Sequence, residues 1–146
     1  MLVPESAYLF TVPKDLAGER LSSVIRNVVN NDASAAVTQV LFQNPRDRVC
    51  VISTLNVLVT PWPTQNFTGI NLAMRVTGET QQLYIKNLVG AGAAGAQGTL
   101  QHTGEFWLPP GWEVISYTSF NSGALNNEVR SLLIGLSIPR GDVQLA

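Results

Sequence analysis

The stretch from Gly104 to Ile115 constrains the fold of this chain most, because it must end one extended segment and begin another. At its centre is Leu108-Pro-Pro-Gly111, which can form neither a helix nor a hydrogen-bonded ladder, since proline lacks the N–H donor. Gly111 can adopt whatever backbone angles the turn requires. The sequence therefore predicts a strand ending at Leu108 and a new strand starting at Trp112.

The rest of the chain after residue 36 also reads as strands separated by turns. Proline and glycine mark these turns, as in Asn44-Pro45-Arg46-Asp47 and Pro61-Trp62-Pro63. The predicted strands are 37–43, 48–60, 69–76, 82–89, 99–102, 105–108, 112–120 and 129–138. About eight strands on this spacing are typical of an antiparallel β-sandwich or barrel, and no strand–helix–strand alternation occurs.

The first thirty residues are harder to interpret. Residues 1–15 are predicted to form an extended N-terminal arm, with a short strand at 6–12, and residues 16–146 a single β-sandwich domain. Between residues 15 and 30 the apolar positions fall near helical spacing, and Asp15 could cap a helix. Gly18 and the many β-branched residues oppose a helix, so extended structure is slightly favoured.

Charge content is unusually low. Charged residues make up 13% of the chain, against about 25% in typical soluble domains. Serine, threonine, asparagine and glutamine number 40, against 19 charged residues (9 basic and 10 acidic). Such a surface suits contact with other subunits, because little charge must be desolvated, although Thr-rich, Lys-poor surfaces are also common in β proteins. The net charge of −1 argues against binding nucleic acid through its phosphates.

Neither a membrane segment nor a disulfide is predicted. No apolar run approaches the roughly 20 residues that a membrane helix needs, so no membrane partner is expected. The start of the chain lacks the basic region and apolar run of a signal peptide, which indicates synthesis in the cytoplasm. Cys50 is the only cysteine and lies in an apolar run, where a buried, inert thiol is expected.

No residue set predicts catalysis, metal binding or a cofactor. Gly90-Ala-Gly-Ala-Ala-Gly95 has the spacing of a dinucleotide-binding loop, but no helix can follow it before Pro109. His102 is the only histidine, and a histidine-based metal site needs more than one. The acidic residues are spread over different turns and strands. We therefore predict a protein that is not an enzyme and expect residues 90–98 to form a mobile loop without anchoring side chains.

Two further stretches extend the interpretation from the central corner. Leu108-Pro-Pro-Gly-Trp-Glu-Val-Ile115, the turn 44–49 and the last strand ending in Ile138-Pro-Arg-Gly141 resemble the jelly-roll structural proteins of tailed bacteriophages, over roughly residues 37–141. The resemblance implies a jelly roll, and small members of this group are often capsid decoration (cement) proteins. These commonly form trimers that bridge major capsid subunits. Other members are head fibres, tail parts or receptor-binding modules.

The resemblance implies a virion location and partners among the virion proteins. The major capsid protein is the first expected partner, together with further copies of the chain in a homotrimer. The arm, the loop at 90–98 and the exposed aromatic residues are candidate contacts, and the aromatic faces could instead stack on sugars. The candidate partner-contact residues are Leu2, Val3, Tyr8, Leu9, Phe10, Trp62, Phe67, Gly92 and Gly95.

Overall fold

The computed structural model describes residues 10–11, 19–29, 36–90, 93–121, 126–139, 141 and 144–145. The described residues are almost entirely strand and turn. The strands are β1 (Phe10–Thr11), β2 (Glu19–Val29), β3 (Ala36–Gln43), β4 (Arg48–Thr60), β5 (Phe67–Val76), β6 (Leu83–Val89), β7 (Gly98–Leu108), β8 (Trp112–Phe120), β9 (Asn127–Pro139) and β10 (Gln144–Leu145).

Eight of these strands form two antiparallel four-stranded sheets. The strand order is β2-β9-β4-β7 in the first sheet and β3-β8-β5-β6 in the second. With one exception, β5 to β6, the chain passes from one sheet to the other at every connection between β2 and β9. This is the strand order of an eight-stranded jelly roll, which confirms the predicted fold class. β1 and β10 pair with each other in a separate two-stranded ribbon.

Several element boundaries agree with the sequence patterns. β4 and β8 begin and end where proline and glycine predicted. Residues 19–29 are strand β2 rather than helix, because all eleven pair with β9. Of the predicted arm, 1–15, only Phe10–Thr11 lies within the described residues, so the arm and most of its predicted strand at 6–12 lie outside them.

One strand prediction was wrong. Residues 99–102 and 105–108 belong to a single strand, β7, rather than to two. The turn signal at Gly104 is instead a β-bulge, where Gly104 and Glu105 lie opposite the single residue Ser53 of β4. Gly104 has a φ of 116°, which glycine tolerates and other residues rarely adopt. The bulge bends the strand without ending it.

The core lies between the two sheets. Alternate side chains of each strand point inward, so the inward phase of β4 is fully buried from Cys50 to Val59. The largest apolar side chains that are less than 2% exposed are Ile52, Leu55, Ile70, Leu72, Leu108, Ile115, Leu133 and Ile138. All but two of them, Ile115 and Ile138, are inward-facing.

A buried polar bridge crosses this core. Gln39 on β3 donates from Nε2 to the Val129 carbonyl oxygen on β9, at 3.1 Å. Its Oε1 accepts hydrogen bonds from the hydroxyl groups of Ser116, at 3.2 Å, and Ser131. Gln39 and both serines are at most 2% exposed. Because a buried polar group is costly when it loses its partners, these bonds fix how the sheets face each other.

The turn 44–47 and the corner Leu108–Trp112 are joined through Asn44. Its amide nitrogen Nδ2 lies 3.0–3.1 Å from the carbonyl oxygens of Arg48, Leu108 and Pro109. Its backbone N–H donates to the Trp112 carbonyl at 2.8 Å, and its own carbonyl accepts from the N–H of Gly111 at 3.0 Å. The Cys50 thiol donates to Oδ1 at 3.0 Å. Every polar group of this buried residue therefore has a partner.

Candidate interaction surfaces

The outer face of the second sheet carries an apolar row that crosses all four strands. The pairings of β3, β8, β5 and β6 place Val40, Ile115, Ala73 and Tyr84 side by side. The two outer members are exposed, Val40 by 36% and Tyr84 by 69%, whereas Ile115 and Ala73 are 1% exposed. Cross-strand neighbours on one face lie close enough to shield each other, which accounts for the burial of the inner two.

The next row on this face is uncharged as well. It consists of Thr38, Tyr117, Asn71 and Asn87. Tyr117 is 39% exposed. The two rows form a surface of hydroxyl, amide and apolar groups, which we call the second-sheet face.

Charge appears at one end of the second-sheet face and is neutralised there. Glu113 is 2% exposed and accepts hydrogen bonds from Arg75 Nε, at 2.6 Å, and from Gln43 Nε2, at 3.0 Å. The Arg75 side chain is 20% exposed. Because this ion pair is internal to the sheet, it leaves no unpaired charge among the three residues.

Ile115 was not selected as a contact residue from the sequence, and Tyr117 was considered only among the aromatic residues that could stack on sugars. β8 carries apolar residues in both phases, with Val114 and Phe120 facing the core and Ile115 and Tyr117 facing out. A half-exposed strand normally has a polar outer phase. Apolar residues at the outward-facing positions of 112–120 were therefore the feature of the sequence that indicated a covered or contacting face.

Trp62 lies beside an open cleft at one end of the sandwich. The cleft has a volume of about 590 Å³, and its polar lining residues include Gln97, Asn126 and Glu128. The Trp62 side chain is 39% exposed, as its position between two prolines predicts. Its backbone N–H donates to Asn127 Oδ1 at 2.9 Å, which ties the backbone of this turn to β9.

The loop before β7, expected to lack anchoring side chains, is anchored by backbone hydrogen bonds. The N–H of Gly95 donates to the Gln65 carbonyl at 2.7 Å, and that of Ala96 to the Ala93 carbonyl at 3.2 Å. Gly95 has a φ of 73°, and a Cβ there would lie 3.2 Å from Pro63. Backbone hydrogen bonds, which leave no trace in side-chain composition, hold residues 93–97 against the turn that carries Trp62. The loop also joins β6 of the second sheet to β7 of the first.

Phe67, a predicted partner contact, belongs to the core instead. It is 4% exposed and belongs to the buried apolar cluster. Its ring lies over Gly98, where a Cβ would come within 2.3 Å of the ring carbons. The predicted exposure was wrong because Phe67 begins β5 in the inward phase.

The other candidate contacts are distributed as follows. Leu2, Val3, Tyr8, Leu9 and Gly92 lie outside the described residues. Phe10 is in β1, where it pairs with Leu145.

The tryptophans of the corner differ from each other. Trp112 is partly buried and packs against the core, as expected of a residue that closes the end of the sandwich. Trp107 is 40% exposed and pairs with Val51 on the outer face of the first sheet. Side chains alternate across β7, and Phe106 takes the inward position.

His102 lies within β7. Its ring makes an edge-on contact with Phe106, with centroids 5.6 Å apart. Burial, with help from the nearby Lys86 ammonium, lowers the pKa of His102, while a hydrogen bond with the backbone at Gly104 opposes the shift. In the part of the chain that the structure describes, no three His, Cys, Asp or Glu side chains are grouped to hold a metal ion. Nor does any described helix have the length and apolar character needed to cross a membrane.

No protein-family model matches the chain, and no curated protein matches it. Solved structures do match. A chain of the acid-stable capsid of the Helicobacter pylori bacteriophage KHP30 is 12% identical, with a TM-score of 0.51, over 94% of this chain and 98% of that one. The likeness is one of fold.

Two further structures resemble the chain less well. A chain of the cyanophage Pam1 capsid asymmetric unit is 11% identical, with a TM-score of 0.47, and the match covers 82% of this chain and 86% of that one. The xylan-binding domain of CBM 22 is 12% identical, with a TM-score of 0.41, over 88% and 98% of the two chains.

Proposed function

We propose that this chain is a non-enzymatic structural protein of a virion. More specifically, we propose a capsid decoration (cement) protein that acts as a trimer and bridges major capsid subunits. The observation that carries the proposal is the second-sheet face, where the apolar row Val40–Ile115–Ala73–Tyr84 spans the sheet beside a row of uncharged polar residues. The jelly-roll strand order of this chain and its likeness in fold to the KHP30 capsid chain are consistent with it.

A cement role asks for adhesion rather than chemistry. Burying apolar surface stabilises a contact by roughly 25 cal/mol per Å², before the cost of ordering the partners is subtracted. The exposed side chains of the second-sheet face, Val40, Tyr84 and Tyr117, offer such surface. Little charge must be desolvated there, since Glu113 and Arg75 neutralise each other within the sheet. A rigid platform also lowers the ordering cost, and Gln39 and Asn44 brace the sandwich.

The copy number of the chain in purified particles tests this proposal. Quantitative peptide mass spectrometry against the major capsid protein would give hundreds of copies per particle for a shell component. A dozen copies or fewer would contradict the decoration role and favour a tail or fibre component.

The predicted arm gives a second test within the same proposal. Deleting residues 2–13 should leave the sandwich folded and should weaken trimer formation or shell binding. If the truncated protein binds shells with wild-type affinity, the arm is not part of the contact.

A second candidate function is a receptor- or carbohydrate-binding module. The observation in its favour is Trp62, whose exposed ring borders a cleft with the amide groups of Gln97 and Asn126. Flat aromatic faces with adjacent amides suit sugar rings. Adsorption of particles to host cells should fall with Trp62→Ala if this function holds and stay unchanged if the chain is cement.

A further inference from the structure

The outer edge of β6 is open to another strand. β6 ends the second sheet, and among the described strands it pairs with β5 alone. Three of its apolar side chains are exposed: Leu83 by 53%, Tyr84 by 69% and Val89 by 80%. An exposed apolar edge is a template for pairing unless charge, proline or a covering element protects it.

The usual protections are weak on β6. The strand contains no proline, and Lys86 is its one charged residue. The Lys86 ammonium donates to the Gln101 carbonyl at 2.8 Å, so it is turned back toward β7 of its own domain. A bulge at Ile85 interrupts the pairing with β5, but the stretch from Lys86 to Val89 is regular.

We propose that two copies of this chain pair through β6, antiparallel and about a two-fold axis at Asn87, which joins their second sheets into one eight-stranded sheet. The partner we propose is a second copy of the chain, because the exposed apolar residues of β6 lie at both ends of the strand. In an antiparallel pair, the start of one strand meets the end of the other. Such a two-fold contact is self-complementary and closes after two copies.

The faces of the strand fix the register. Tyr84, Asn87 and Val89 point to the same outer face, since their partners on β5 share one phase. Pairing centred on Asn87 places its amide opposite the same amide of the second copy, where donor and acceptor groups complement each other. The extra residue at Ile85 shifts the register by one, so Tyr84 faces Val89, and the two most exposed apolar side chains of β6 cover each other.

Charge distinguishes this register from its neighbour. A pair centred on Lys86 would place two lysines opposite each other, and like charges directly opposite destabilise a strand pair. Centring on Asn87 places Lys86 opposite Leu88 instead. Each ammonium can then keep its bond to Gln101 in its own domain.

The pairing extends the proposed function, because it names a contact between copies that differs from a three-fold contact within a trimer. A trimer whose three β6 edges are free can join another trimer through this two-fold contact. Whether β6 pairs and whether the chain decorates shells are measured separately, since crosslinking reports the first and copy number the second.

Thiol crosslinking of the purified chain tests the register. Residues opposite each other in an antiparallel pair have Cβ atoms about 4.5–5.5 Å apart, near the span of a disulfide. We would oxidise Asn87→Cys with diamide, which takes up the two electrons and two protons released as the S–S bond forms. Cys50 is 0% exposed and should stay unreacted. The matched control is Thr99→Cys, an exposed position on β7 at the edge of the first sheet.

The expected result is a dimer on a non-reducing denaturing gel that forms at least about tenfold faster for Asn87→Cys than for the control, because pairing raises the effective thiol concentration. Equal rates for the two variants, or no dimer from either, would overturn the proposal. Light scattering gives an independent reading: Tyr84→Lys should halve the mass of the wild-type assembly, and an unchanged mass would count against β6 pairing.

Discussion

The Asn44 corner and the β6 edge lie in one sandwich but differ in how their polar groups are hydrogen-bonded. At the corner, every hydrogen-bonding group of Asn44 has a partner within the domain. Along β6, the backbone groups on the outer side face away from the sheet, and the side chains beside them are the most exposed apolar residues of the second sheet. The corner thus holds the fold together, while the edge remains available for contacts.

This division places stability and interaction on different residues. A change at the corner should unfold the domain, whereas a change at the edge should leave it folded and alter what it binds. The variants below test whether the two regions separate in this way.

Asn44→Ala should have the largest effect on stability. It removes the donor to three carbonyl oxygens and leaves buried groups of the corner without partners, each at about 1–3 kcal/mol. We expect the free energy of unfolding to fall by about 4 kcal/mol in urea titrations. Asn44→Asp keeps the size and Oδ1 but loses the Nδ2 donor, so most of the loss should persist.

The matched control is Asn121→Ala, which removes one bond to the Asn66 N–H on the exposed surface. Its effect should stay below about 1 kcal/mol. If Asn44→Ala and Asn121→Ala lower the free energy of unfolding equally, the corner does not stabilise the fold in the way proposed.

Trp112→Ala tests whether the corner acts through packing as well. The side chain packs on the core, so its loss should lower the free energy of unfolding by about 3 kcal/mol. Chemical denaturation checks this, with Trp107→Ala as the control because that ring is 40% exposed. If the Trp112→Ala domain is as stable as wild type but no longer binds a partner, the corner is a binding surface instead.

Gln39→Ala should cost about 2 kcal/mol, because Val129 and Ser131 on the facing sheet and Ser116 on the same sheet lose their buried partner. Adding Ser131→Ala should recover part of this loss, since one orphaned hydroxyl is then removed. A double-mutant cycle in urea measures the coupling. Independent, additive losses would mean that Gln39 does not link the two sheets.

Tyr84→Ser should have the smallest effect on stability, below about 0.5 kcal/mol, because the side chain is 69% exposed. The same variant should still weaken association of copies. Thermal unfolding at a concentration where the chain is monomeric separates the two effects. A large loss of stability in the monomer would remove the contrast between corner and edge.

The sequence predicts those parts of the fold that local chemistry dictates. Pro109, Pro110 and Gly111 end β7 and begin β8, and proline on both sides of Trp62 ends β4. The alternation in 69–76 predicts the buried side chains of Ile70 and Leu72. These features depend on a few neighbouring residues, so a single chain is sufficient to find them.

Features that depend on distant residues were missed for that reason. Asn44 meets Leu108, 64 residues away, and the sequence offers only a turn at that position. Gly95 is held by a backbone hydrogen bond to Gln65, and the glycine-rich composition of the loop gives no indication of this bond. Phe67 was assigned to the surface because its phase in β5 depends on where that strand begins.

The central claim is that this chain strengthens a shell by bridging its subunits. The most direct measurement is the temperature at which genome is released from particles that lack the chain, with and without purified chain added back. The account predicts that added wild-type chain raises the release temperature and that the destabilised Asn44→Ala chain raises it less. A release temperature that stays the same while folded chain is bound would contradict the claim.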